Sequence, residues 1–138
     1  MYKKIMTPVD LRHVDDIEKA LKCSADLATH YDAEIIYVGV TSSAPSDIAH
    51  NPDEYSRLLD TFTKRQMEKH SISARSETQV CNDPATEVDD ALLAAVETTG
   101  ADLVVMQSHL PSLTDYIWPS NGGKIARHGK ASVMIVRD

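Results

Sequence analysis

A chain of 138 residues, 42% hydrophobic and 25% charged, fits one globular domain spanning residues 1–138 and leaves no room for two. Its 21 acidic against 14 basic side chains give a formal charge of −7, which argues against nucleic-acid binding, since that rests on clustered Lys and Arg neutralising phosphates. No run approaches the ~20 apolar residues of a membrane span, no signal peptide is visible, and Cys23 and Cys81 lack CxxC spacing. The expectation is a cytoplasmic protein without membrane association, carrying two buried or half-buried thiols.

Ile5, Met6 and Val9 form a short apolar run ended by Pro8 and Asp10, which reads as a buried first strand. Val14 to Tyr31 places Ile17, Leu21, Ala25 and Ala28 at helical spacing, with Glu18, Lys19, Lys22 and Asp26 on the opposite face. Ala33 to Val40 is a β-branched second strand. Thr41 to Asn51, rich in Ser, Ala, Pro and Asp, reads as a surface loop. Pro52 starts a second helix whose expected apolar stripe is Tyr55, Leu58, Leu59 and Phe62.

Ser73 to Cys81 alternates weakly and suggests a third, more exposed strand at a sheet edge. Asn82-Asp83-Pro84 signals a helix start, and the helix it opens buries Val88, Leu92, Ala95 and Val96. Gly100 ends that helix, and Leu103 to Met106 forms the fourth strand. A connection from Gln107 to Pro119 and a short helix near Ser120 to His128 precede a final strand, Ser132 to Val136.

Helices alternating with apolar strands imply right-handed βαβ crossovers, hence an α/β fold: a doubly wound, five-stranded parallel sheet covered on both faces. Ligands of such sheets bind beyond the carboxyl ends of the strands, where the strand order reverses. With strands 1 and 4 flanking the reversal, Pro8-Val9-Asp10 and Gln107-Ser108-His109 line the crevice.

The opening Ile-Met-Thr-Pro-Val-Asp, then Asp32-Ala33-Glu34, Asn82-Asp83-Pro84-Ala85 and Ala101-Asp102-Leu103-Val104-Val105-Met106 resemble the universal stress proteins. Ser108-His109-Leu110-Pro111 and Ser120-Asn121 resemble in particular the filament-type branch of that family. The resemblance runs end to end. It implies strand order 3-2-1-4-5, an adenine-nucleotide-alpha-hydrolase-like fold, a stress-response role without catalysis, and a homodimer formed through the C-terminal strand. It also implies ATP or another adenine nucleotide as ligand, with Asp10 against the ribose or base and the Val40 backbone against adenine.

Nucleotide-binding members carry Gly-x-x-Gly, nine residues, then Gly-Ser or Gly-Thr, so that backbone amides approach the phosphates. Here Gln107, Leu110 and Pro119 stand at the three glycine positions, and Pro119 has no N–H to offer. Ser120, Asn121 and Gly122, with Gly123, keep a helix start suited to an anion. The expected nucleotide contacts are therefore Pro8, Val9, Asp10, Val40, Gln107, Ser108, His109, Leu110, Ser120, Asn121 and Gly122, with a degenerate phosphate loop. Tyr116, Ile117 and Trp118 either clamp a ligand or cover the sheet end.

No nucleophile-base pair or paired carboxylates argue for chemistry, and the scattered histidines argue against a metal. Two readings stay open: a regulatory module that binds an adenine nucleotide, and a ligand-free dimeric interaction subunit whose site is closed. A flavodoxin-type enzyme is the weaker third, because Leu11-Arg12-His13-Val14 is no phosphate loop.

Overall fold

Strands β1 (Lys4–Pro8), β2 (Glu34–Ser42), β3 (Ala74–Cys81), β4 (Leu103–Gln107) and β5 (Ser132–Val136) alternate with helices α1 (Glu18–Tyr31), α2 (Pro52–His70) and α3 (Pro84–Thr99). This computed structural model describes residues 1–108, 125–127 and 129–137. All five strands are parallel, as the alternation implies, and lie in the order β3-β2-β1-β4-β5, so the order reverses between β1 and β4 as the family resemblance implies.

The period of two assigns each strand residue to a face. Thr7 and Tyr37 are register partners and point to the same side. There Thr7 Oγ1 lies 2.8 Å from Ser24 Oγ of α1, and the Tyr37 ring meets Phe62 of α2 edge-on at 5.3 Å. One face therefore carries α1 and α2. The other, with Val38 and Val40, carries α3, whose Val88, Leu92, Ala95 and Val96 are all buried.

Local chemistry fixes the ends of these elements. Asn51 Oδ1 accepts the Glu54 N–H at 2.8 Å and caps α2, with Pro52 in its first turn. Glu87 reaches back to accept the Asn82 N–H at 3.0 Å at the start of α3. Gly100, at φ 70°, ends α3 in the left-handed conformation that glycine adopts without penalty. The Asp102 carboxylate accepts the N–H groups of Lys3 and Lys4 at 3.0 and 3.1 Å, tying the start of β1 to the start of β4.

Three local expectations are corrected. Leu58 is 41% exposed, because the buried line of α2 runs through Tyr55, Leu59, Phe62 and Gln66 at steps of three and four. β2 extends through Thr41 and Ser42, which pair with Val80 and Cys81 of β3. The first helix opens as a 3₁₀ turn, Val14–Ile17, before α1 proper. β3 is an edge strand, half-exposed along its length, and β5 is the opposite edge with Met134 and Ile135 each 39% exposed. Of the expected helix near Ser120 to His128, the described residues 125–127 are helical.

Candidate functional site

β1 and β2 differ in length, and the difference makes a cleft. The last rung of β1 is the Val9 N–H donating to Val38 O at 2.8 Å, whereas β2 continues to Ser42. Strand alternation turns the N–H and C=O of Val40 to the same side as the Val38 carbonyl, beyond the end of β1. A backbone donor and acceptor thus face the crevice side by side.

Above them lies a cleft of about 130 Å³. Val9, Val38, Val40 and Ile48 form apolar walls, closed by Pro84, Val88 and Leu92 from the first turns of α3. Asp10, Arg12, Thr41, Ser42, Ser46 and Tyr55 supply its polar groups. An apolar cavity of ~150 Å³ takes a benzene ring, so the walled part of this cleft suits one flat ring system. The loop carrying Ser46 and Ile48 is pinned by the Ser46 N–H donating to Ala49 O at 2.8 Å.

Asp10 stands at the mouth, its side chain 14% exposed. The chain turns sharply after β1: Asp10 O accepts the His13 N–H at 3.1 Å, and Asp10 Oδ1 accepts the Arg12 N–H at 3.0 Å. His13 Nδ1 lies 3.5 Å from Asp10 Oδ2, an ion-pair distance for a protonated ring. Burial, reinforced by the Asp10 carboxylate, pushes the Tyr55 phenol above its ordinary pKa, while Arg12 opposes the shift. The phenol is therefore a neutral hydrogen-bonding group at any physiological pH.

Val9, Asp10 and Val40 are thus brought together at one strand-end crevice, while Pro8, paired with Val38 as the last residue of β1, is outside its lining. On the β4 side the expected residues are engaged in the fold. The Gln107 side chain is 2% exposed and turned toward α1, where Oε1 accepts the Ala20 N–H at 3.2 Å. That N–H is one of the donors a helix start leaves without an intrahelical partner. Ser108 is half-buried, and its N–H donates to Val136 O at 2.8 Å. His109, Leu110, Ser120, Asn121 and Gly122 lie outside the described residues, as do Gly123, His128, Pro119 and the Tyr116-Ile117-Trp118 segment.

Sequence reasoning missed Tyr55, the loop residues Ser42, Ser46 and Ile48, and the α3 wall as cleft components. One signal was present: a glycine inside a strand, Gly39, marks a close approach of another group. Among the described residues no three His, Cys, Asp or Glu side chains are placed to hold a metal ion, and no helix is long and apolar enough to cross a membrane.

A profile of the Universal stress protein family matches residues 1–137. Universal stress protein G of Shigella flexneri is similar at 27% identity over 148 aligned positions, covering 99% of this chain and 100% of that protein. A universal stress protein from Burkholderia pseudomallei superposes with a TM-score of 0.69 at 20% identity, covering 98% of this chain and 96% of the other. A universal stress protein in complex with cAMP gives 0.68 at 20% identity, with 98% and 97% covered. The Archaeoglobus fulgidus protein in complex with dAMP gives 0.67 at 15% identity, with 97% of each covered. These superpositions show a shared fold.

Proposed function

The chain belongs to the universal stress protein family, and from that premise we propose that it is a non-catalytic, cytoplasmic stress-response module that binds an adenine nucleotide over the ends of β1 and β2. The observation that carries this reading is the Val40 backbone. Its N–H and C=O face the crevice beside an apolar wall formed by Val9, Val38, Val88 and Leu92. The edge of adenine offers an acceptor ring nitrogen beside an exocyclic N–H₂ donor, which complements that pair. Guanine offers a ring N–H beside a carbonyl, which opposes it. Relatives of the same fold solved with cAMP and dAMP support the choice of an adenine ligand.

Asp10, at the mouth of the slot, is the group placed to accept from a ribose hydroxyl. Val9 lines the slot beside it, and Pro8, the last residue of β1, supports Val9 from behind the lining. Any contact from Gln107 comes through its backbone, because its side chain is committed to α1. The family's three phosphate-loop glycines are replaced by Gln107, Leu110 and Pro119, so base and ribose, rather than a triphosphate, carry the recognition. Ser108, His109, Leu110, Ser120, Asn121 and Gly122 complete the proposed set. No metal is part of the proposal.

We further infer a homodimer formed through β5. That strand is a sheet edge presenting Met134 and Ile135 to solvent, and an apolar edge invites a second copy. Calorimetric titration with AMP and ATP tests the ligand. Binding tighter than about millimolar, ~4 kcal/mol, is expected for AMP, and weaker binding for both nucleotides would favour the ligand-free interaction subunit.

A further inference from the structure

Just past β1 the chain closes a small loop on the Asp10 carboxylate. Asp10 O accepts the His13 N–H at 3.1 Å, and this turn carries the imidazole back to the carboxylate three residues earlier. The two carboxylate oxygens then face two different groups. Oδ1 accepts the Arg12 N–H at 3.0 Å, and Oδ2 lies 3.5 Å from His13 Nδ1. That ring nitrogen is buried, although the side chain as a whole is 33% exposed, and among the described residues it has no hydrogen-bond partner. A buried ring nitrogen aimed at a carboxylate is satisfied when it carries a proton. The bond it then donates is charge-assisted, shorter and stronger than a neutral one. The backbone holds the ring in place from the other side as well, because His13 O accepts the Asp16 N–H at 3.1 Å as the 3₁₀ turn begins.

We propose that His13 is a positioning residue for Asp10: its Nδ1–H holds the second carboxylate oxygen, so that Asp10 meets a ribose hydroxyl in one fixed orientation. The Arg12 N–H alone lets the carboxylate swing about Oδ1, whereas two contacts from two directions define its plane. A carboxylate has about four acceptor sites, so both contacts are compatible with accepting from a ribose as well. This inference rests on the adenine-nucleotide reading above.

The signature of the arrangement is pH dependence, because an imidazole exchanges its proton between about pH 5 and pH 8. Among the described residues, the charged and titratable neighbours of the ring are Asp10, Arg12 beside it, Asp15 and Asp16 in the 3₁₀ turn, and Tyr55 in the cleft. Carboxylates, phenols and guanidinium groups ordinarily titrate outside that window, which leaves the imidazole as the group of this set suited to it.

The test is a calorimetric titration with adenosine from about pH 5.5 to pH 8, on wild type, His13→Ala, His13→Asn, Asp10→Asn and the Asp10→Asn, His13→Ala double variant. Adenosine is the probe because the phosphate of AMP has its own titration at about pH 6. Wild type should bind roughly three- to tenfold tighter at the acid end, since ligand binding and protonation of His13 reinforce each other. His13→Ala should bind at every pH as wild type does at the alkaline end. His13→Asn, which sets an amide N–H near the place of Nδ1–H, should bind tighter than His13→Ala and equally across the range. In the Asp10→Asn background, His13→Ala should cost nothing further.

A flat wild-type profile, or a slope that persists in His13→Ala, would overturn the inference while sparing the nucleotide reading. A further loss from His13→Ala in the Asp10→Asn background would also overturn it, by making His13 a direct ligand contact. A wild type that binds neither adenosine nor AMP at any pH overturns both.

Discussion

The phenol of Tyr55 occupies the volume that any side chain at residue 39 would claim, with Oη only 2.4 Å from the position of a Cβ on Gly39. Helix α2 and strand β2 are locked together at that point by the absence of one methyl group. The lock sits where the cleft begins, so packing and site geometry depend on the same pair.

Gly39→Ala should therefore be destabilising by about 1–3 kcal/mol, the range for overpacking a close-packed interior. In a Tyr55→Ala background the added methyl has room, and the same change should be nearly neutral. Urea unfolding of the four proteins measures the coupling. Additive effects would show that the ring and residue 39 do not compete for space.

Restoring a family glycine at position 107 should harm the protein rather than improve its site. Gln107→Gly removes the buried acceptor of the Ala20 N–H, and leaving that donor without a partner costs about 1–3 kcal/mol. The expected outcome is a lower unfolding midpoint with no gain in ATP affinity. Unchanged stability would mean that the Gln107 side chain does not support α1.

Much of the fold was legible because hydrophobic periodicity reports burial directly. The stripe Val88, Leu92, Ala95 and Val96 is buried as its spacing implies, and Ser132–Val136 is the last strand to the residue. The weak alternation of Ser73 to Cys81 marked a true edge strand. Periodicity failed where two apolar residues are adjacent. Leu58 and Leu59 read alike, but only Leu59 lies on the line with Tyr55 and Phe62, and a polar residue, Gln66, continues it.

The site was half legible. Asp10 follows from the end of the first strand and the topology, whereas Val40 entered only through the family resemblance; both line the cleft. Tyr55 has the spacing of a core residue, and nothing in its own neighbourhood shows that it also lines the strand-end cleft. That depends on a glycine sixteen positions earlier, Gly39. Gln107 was placed at the crevice from its position after strand 4, but the strand's alternation turns its side chain to the opposite face.

Alkaline pH should unfold the protein along a defined slope. Tyr37 is fully buried and Tyr55 is 4% exposed, and burial raises both phenols above their ordinary value. In the unfolded chain each loses its proton near pH 10, whereas the folded protein retains both. The unfolded state then binds fewer protons, so stability is full below about pH 10 and falls above it, by about 1.4 kcal/mol per pH unit for each tyrosine. Urea unfolding between pH 8 and 11 measures this. A flat profile would mean that the phenols are not held neutral by the fold.

The β5 edge should govern association. Changing Met134 and Ile135 together to Lys places charge where a second copy would pair, and should convert a dimer to a monomer in sedimentation velocity without loss of helical signal. A dimer that survives both substitutions would assign the interface elsewhere.

The central claim is that the Val40 backbone and Asp10 together receive the base and ribose of an adenine nucleotide. The most direct measurement is a ¹⁵N amide titration of the wild-type protein with AMP and, separately, GMP. The account predicts saturable shifts at the Asp10, Val40 and Thr41 amides with AMP, and none with GMP at the same concentration. Equal responses to both nucleotides, or AMP-induced shifts confined to residues away from the ends of β1 and β2, would contradict it.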